Sequence, residues 1–131
     1  MTPHARWSIH STYKASTTLL RLQRGQPCLM VNPVVARKRG IADGDQVRIW
    51  NDLGEARLVA KVSPTVPEGA VLLEHGWEPF HYRGKKGHNA LVGDMPNLLE
   101  ISDGWGHLKF GTNWDGNQHA YDATVDLARV G

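Results

Sequence analysis

The chain has 131 residues, with 15 lysines and arginines against 13 aspartates and glutamates, a formal charge of +2 and 40% hydrophobic residues, enough to bury the core of one domain over residues 1–131 without disulfides or structural metal. Cys28 is the single cysteine, which excludes an internal disulfide and a cysteine-rich metal site and leaves the thiol as a small buried apolar side chain. No apolar run approaches the ~18 residues of a membrane span, and residues 1–10 lack the charged and apolar regions of a signal peptide.

In chain order, Trp7 and Ile9 alternate with Ser8 and His10 as in a short strand. Residues 14–24 place Leu19, Leu20 and Leu22 ahead of Gly25, a short helix weakened by Thr17 and Thr18. Cys28, Leu29, Met30 and Val31 run apolar without a break between Pro27 and Asn32-Pro33, which predicts a strand buried on both faces. Asn32 as cap, Pro33 in the first turn and Gly40 as stop predict a short helix ending at Arg39. Ala42-Asp43-Gly44-Asp45 then has the composition of a tight turn. Val47 and Ile49 alternate with polar residues, and Asp52-Leu53-Gly54 reverses the chain into a strand from Glu55 to Ser63, apolar at Ala56, Leu58, Ala60 and Val62. Pro64 and Pro67 end it, Val66-Pro67-Glu68-Gly69 turns, and a further apolar strand from Ala70 to Leu73 stops before His75-Gly76-Trp77.

From Glu78 to Leu99 no period persists, and a loop of that length in a compact domain is usually functional. Residues 104–116 bring Trp105, Phe110 and Trp114 among four glycines, and Thr124 to Val130, with Val125 and Leu127, predicts a last strand. So many short strands with one or two short helices read as a mainly β domain, and closure into a small barrel would remove exposed strand edges.

Catalytic signatures are missing. His4 and His10 stand six positions apart, which fits neither one helical face nor the HExxH zinc pattern. No GxSxG, CxxC or P-loop occurs, and Gly104-Trp105-Gly106 is only the first half of GxGxxG. Binding chemistry is better represented. Ser8, His10, Ser11 and Thr12 gather hydroxyls and an imidazole beside Trp7, and such a group can donate to phosphate or pterin oxygens. His88-Asn89 follows Arg83-Gly84-Lys85-Lys86-Gly87, where glycines permit close backbone approach and the Asn amide offers donor and acceptor together. Thr112-Asn113-Trp114-Asp115-Gly116-Asn117 is a third polar turn. Taken locally, each is equally an ordinary polar or basic loop. The basic residues Arg21, Arg24, Arg37, Lys38, Arg39, Arg83, Lys85 and Lys86 read as a solvated face rather than a nucleic-acid footprint.

Together and in order, His4 to Tyr13 (HARWSIHSTY), Gly40 to Gly54, Val66 to Trp77, His88-Asn89 and Gly106 to Gly116 (GHLKFGTNWDG) resemble the C-terminal molybdopterin-dinucleotide-binding domain of the dimethyl sulfoxide reductase superfamily. WSIHSTY and FGTNWDGNQ look most like the branch with respiratory nitrate reductase, dimethyl sulfide dehydrogenase, chlorate and selenate reductases and ethylbenzene dehydrogenase. The resemblance implies a six-stranded double-psi β-barrel of the aspartate-decarboxylase-like kind. It also implies binding of the pterin and pyrophosphate of molybdopterin guanine dinucleotide, one of the two in a bis-MGD molybdenum cofactor, by His4, Trp7, Ser8, His10, Ser11, His88, Asn89, Thr112 and Asn113. Val35 stands where the family often has an Asp that reads guanine, so nucleotide recognition departs from the pattern.

By the same resemblance the iron-sulfur cluster and the molybdenum ligand belong to other domains, so the chain is not catalytic on its own. Its expected partners are the rest of a molybdoenzyme catalytic subunit, an iron-sulfur electron-transfer subunit and a haem subunit, without nucleic acid, in a bacterial membrane-associated complex leaning to the periplasmic side. The alternative is a non-enzymatic double-psi barrel that binds a protein or peptide. Self-cleaving aspartate decarboxylase, which shares the barrel, needs a Gly-Ser bond, and no Gly-Ser dipeptide occurs.

Overall fold

A computed structural model describes residues 1–8, 10–92 and 123–130. Five strands form one mixed sheet: β1 (Cys28–Val31), β2 (Gln46–Trp50), β3 (Glu55–Val62), β4 (Val71–Leu73) and β5 (Asp126–Arg129), in the spatial order β4-β1-β3-β2-β5. β1 runs parallel to β3 with Cys28 opposite Val59, and every other neighbouring pair is antiparallel. The parallel pair needs a crossover. α2 (Pro33–Lys38), the Asp43 turn and β2 supply it between β1 and β3.

The helix starts where expected, with the Asn32 side chain accepting from Val34 N at 2.7 Å and Pro33 in the first turn. Its far end is tied to β5 by Arg39, which donates to Asp126 Oδ1 at 2.6 Å and to the Leu127 carbonyl. In the turn, Asp43 Oδ1 accepts from Val62 N at 2.8 Å, and Gly44 N donates to Ala60 O at 2.9 Å, so the turn lies against β3. The Val62 amide and then Arg24 hold the Asp43 carboxyl below its ordinary range.

Leu29, Val31, Val47, Ile49, Leu58, Ala60 and Leu127 form the centre of the core, with Ile41, Leu73, Trp77, Tyr82 and Leu91 closing it. β1 departs from its expectation: Leu29 and Val31 are fully buried, whereas Cys28 and Met30 are half-buried, so only one face meets the core and the thiol is not the fully enclosed side chain expected. Trp7 and Ser8 do not extend a strand either. Arg6-Trp7 turns and residues 10–15 form further turns, with His10 and Tyr13 at positive φ. The helix expected over residues 14–24 is confined to α1 (Thr17–Leu22), capped by Ser16.

The expected closed six-stranded barrel is not what the described residues form. Their five strands make an open sheet with β4 and β5 as its edges. β4 has only three residues, and its outer edge is taken by the N-terminal backbone: Leu73 N donates to Met1 O and His75 N to Pro3 O, both at 3.0 Å. That pairing protects the edge without closing the sheet. No described helix is long and apolar enough to cross a membrane.

Candidate functional site

Where the N-terminal backbone passes the end of β4, His4 Nδ1 and His75 Nε2 lie 2.8 Å apart, and the His10 ring centroid is 5.8 Å from that of His4 and 5.1 Å from that of His75. A hydrogen bond between two imidazoles needs one donor and one acceptor, so the His4–His75 pair cannot hold it doubly protonated. Burial, followed by positive charge on His4, His10 and Lys14, pushes the His75 imidazole below its ordinary 6.5. His75 is thus held toward its neutral form, which donates at one ring nitrogen and accepts at the other. Among the described residues, no three or more His, Cys, Asp or Glu side chains are arranged to hold a metal ion.

Close approach of two segments builds this cluster. Gly76 has φ +88°, and a Cβ there would fall on the His10 carbonyl oxygen, far inside contact distance, and 3.0 Å from His10 Cα. Only glycine permits both the backbone angle and the proximity.

Opposite the histidines stands the 3₁₀ turn His88–Leu91. The β2–β3 hairpin places it: Asn51 Nδ2 donates to Leu91 O at 2.7 Å, while Asn51 Oδ1 accepts from Leu53 N and Gly54 N and shapes the hairpin turn. Gly54 leaves room for Ala90, whose carbonyl oxygen would be 2.5 Å from a Cβ at that position. His88 Nδ1 is 2.9 Å from the Tyr82 hydroxyl. Burial keeps that phenol protonated well above its ordinary range. The hydroxyl and Nδ1 share a hydrogen bond whose donor is set by the tautomer of His88. Burial, then the charge of His75, pushes His88 below 6.5.

Thr2, His4, His10, Ser11, His75, Gly76, Trp77, Glu78, Pro79, His88 and Asn89 together line a cleft of about 390 Å³. Five of the nine residues nominated from the sequence, His4, His10, Ser11, His88 and Asn89, thus meet on one surface although 84 positions separate the first from His88. Trp7 is not among them. It lines a neighbouring cavity of about 340 Å³ with Arg6, Gln23, Arg24, Lys61, Glu74 and Trp77, and its ring carries the Arg6 guanidinium 5.0 Å from its centroid. Ser8 is buried, and its Oγ has no hydrogen-bond partner among the described residues. Thr112 and Asn113 lie outside the described residues. Sequence reading passed over His75 and Glu78. The available signal was an imidazole directly after an apolar strand and directly before a glycine.

The cleft thus brings the imidazoles of His4, His10, His75 and His88, the Ser11 hydroxyl and the Asn89 carboxamide to one surface of a β domain. The chain belongs to the family described as "Molydopterin dinucleotide binding domain", which matches residues 1–102. It is 40% identical over 126 residues to the dimethylsulfide dehydrogenase subunit alpha of Rhodovulum sulfidophilum, covering 95% of this chain and 14% of that protein. To the chlorate reductase subunit alpha of Ideonella dechloratans it is 38% identical, covering 98% of this chain and 14% of the relative. The respiratory nitrate reductase 1 alpha chain of Escherichia coli is 34% identical, with 88% of this chain and 10% of the relative covered. These are oxidoreductases of the dimethyl sulfoxide reductase family, as the WSIHSTY segment implied. The chain spans about one seventh or less of their length. Among solved structures, acetylene hydratase from Pelobacter acetylenicus matches 72% of this chain and 14% of its own, with a TM-score of 0.60 at 19% identity, a likeness of fold.

Proposed function

We propose that the cleft binds the pterin and pyrophosphate of molybdopterin guanine dinucleotide, as the cofactor-binding part of a molybdenum oxidoreductase catalytic subunit. One observation carries this reading: His4, His10, Ser11, His88 and Asn89 line a single cleft in a chain of the molybdopterin-dinucleotide-binding family.

The donor set suits such a group. The imidazoles of His75 and His88, held toward their neutral forms, and the Asn89 amide each offer a donor and an acceptor, matching the alternating edge of a pterin, while the Ser11 hydroxyl and the His88 ring N–H can donate to phosphate oxygens. Gly76 keeps the His10 backbone seated at the rim. Trp7, Ser8, Thr112 and Asn113 stay in the proposed set on the resemblance alone. When bound, the cofactor supplies the redox chemistry at its molybdenum, and these residues bind it and orient it.

The fold we infer for the complete domain is the six-stranded double-psi barrel, supported by the parallel β1–β3 pair within an otherwise antiparallel sheet. A bis-MGD arrangement, an iron-sulfur cluster elsewhere in the subunit, and iron-sulfur and haem partner subunits complete the proposal. The substrate of the whole enzyme is not part of it. The family match counts against a non-enzymatic peptide-binding module.

The test is molybdenum content of the parent subunit carrying His10→Ala, measured beside its thermal unfolding. Impaired loading with folding intact is expected, and a normal molybdenum content would remove His10 from the site.

A further inference from the structure

Lys14 is an unusual lysine, only 5% exposed. Its ammonium donates to Gln23 Oε1 and sits 3.6 Å from the centroid of the Trp77 ring. No carboxylate pairs with it among the described residues; the nearest acidic influence is the charge of Glu74. A desolvated ammonium with so few partners is held where it is only while both are in place. Those partners belong to separate segments. Gln23 caps the end of α1, and Trp77 follows the cluster histidine His75 by two positions. Lys14 itself ends the turn that carries His10 and Ser11, its amide donating to Ser11 O at 3.2 Å.

We propose that Lys14 is a positioning residue for the cofactor cleft: its buried ammonium, held between Trp77 and Gln23, clamps the turn bearing His10 and Ser11 onto the segment bearing His75. The clamp acts through Trp77, which lines the cleft on one side and the neighbouring cavity on the other. That cavity, about 340 Å³ and lined by both Gln23 and Trp77, gives an arginine at position 14 room to keep its cation over the ring. Methionine keeps the length of the side chain but not the charge.

The inference rests on the proposed cofactor site only for its consequence, so it is tested first without ligand. In NMR spectra of the wild-type chain, the Lys14 ε-methylene protons are expected upfield of free lysine because of the indole ring current. In Lys14→Met the His10 and Ser11 amides shift and the His75 imidazole titrates at higher pH, having lost one of its positive neighbours; Lys14→Arg keeps both near wild type. Released molybdopterin guanine dinucleotide is then titrated into each protein. Lys14→Met is expected to bind it about tenfold more weakly, with Lys14→Arg restoring most of that loss.

Unshifted ε-methylene protons in the wild type would overturn the clamp even if no variant folds. So would Lys14→Met resonances at His10, Ser11 and His75 that match wild type. If those signals respond as expected and the wild-type chain binds no cofactor, the cleft assignment fails while the clamp stands.

Discussion

Gly76→Ala asks whether the His10 turn is seated on the end of β4 as the geometry requires. Two costs apply there and can be separated with other glycines of the same chain. At Gly69 an added Cβ meets nothing within 4 Å and φ is not positive, so Ala should be nearly neutral. Gly40 also has open space but a φ of +64°, so Ala meets only the backbone penalty, about 1–2 kcal/mol. Gly76 has both a φ of +88° and the His10 carbonyl oxygen in the way, which adds the ~1–3 kcal/mol typical of forcing atoms into filled space. The sum for Gly76→Ala is ~2–5 kcal/mol, which for a domain of this size lowers Tm by roughly 7–18 °C. Urea unfolding of the three variants, followed by tryptophan fluorescence and circular dichroism, should rank them Gly69, Gly40, Gly76 in increasing loss. If Gly76→Ala loses no more than Gly40→Ala, the His10 backbone does not pack there and the three-histidine cluster is wrongly assembled.

Other perturbations follow from the same geometry. The folded values of His75 and His88 lie below 6.5, so the unfolded chain takes up protons first. Stability from these two should be complete above about pH 6.5 and fall as pH drops toward their lowered values; urea midpoints that stay flat over that window would refute the lowered imidazoles. A separate loss belongs to stronger acid, because Asp43 and Asp126 sit below their ordinary 3.8 and stabilise until protonated. Tyr82→Phe removes the partner of His88 Nδ1 and should cost ~1–2 kcal/mol in denaturant unfolding, with the His88 ring nitrogen signals shifting in nitrogen NMR spectra. Asn51→Ala removes three hydrogen bonds; it should cost ~1.5–3 kcal/mol and raise amide exchange across residues 88–91 more than in β1.

Features fixed by near neighbours in the chain were legible in the sequence. Asn32 and Pro33 start a helix whatever it packs on, and Asn51 to Gly54 reverses the chain through the Asn side chain itself. Strand periods at Val47 and Ile49, and at Ala56 and Leu58, came through because one face is buried. Trp7 and Ile9 alternate like a strand, yet Arg6-Trp7 turns, and alternation over four residues is too short to outweigh the packing of the neighbouring turns. Sheet closure is a long-range property that no local pattern encodes. Lys14 would pass as a surface lysine in any sequence, since burial of an ammonium depends on partners 9 and 63 positions away. His75 was overlooked for a related reason. Its contact with His4 spans 71 positions, and only the covered edge of β4 brings the two together.

Neither wall of the cleft lies in a strand, yet both are fastened to the sheet. His88 and Asn89 sit on a single 3₁₀ turn that would not persist alone. It is fixed by Asn51 and Gly54 of the hairpin and by the Tyr82 hydroxyl. His4, His10 and His75 are fixed by backbone pairing along β4 and by Gly76. Loops that carry binding groups are normally the least stable parts of a domain, and here each is tied to an element buried in the core. Mutations at Asn51, Gly54 or Gly76 should therefore alter ligand binding without removing a ligand-contacting atom. Asn51 and Gly54 belong to the scaffold by position and to the proposed site by effect, whereas Gly76 belongs to both by position.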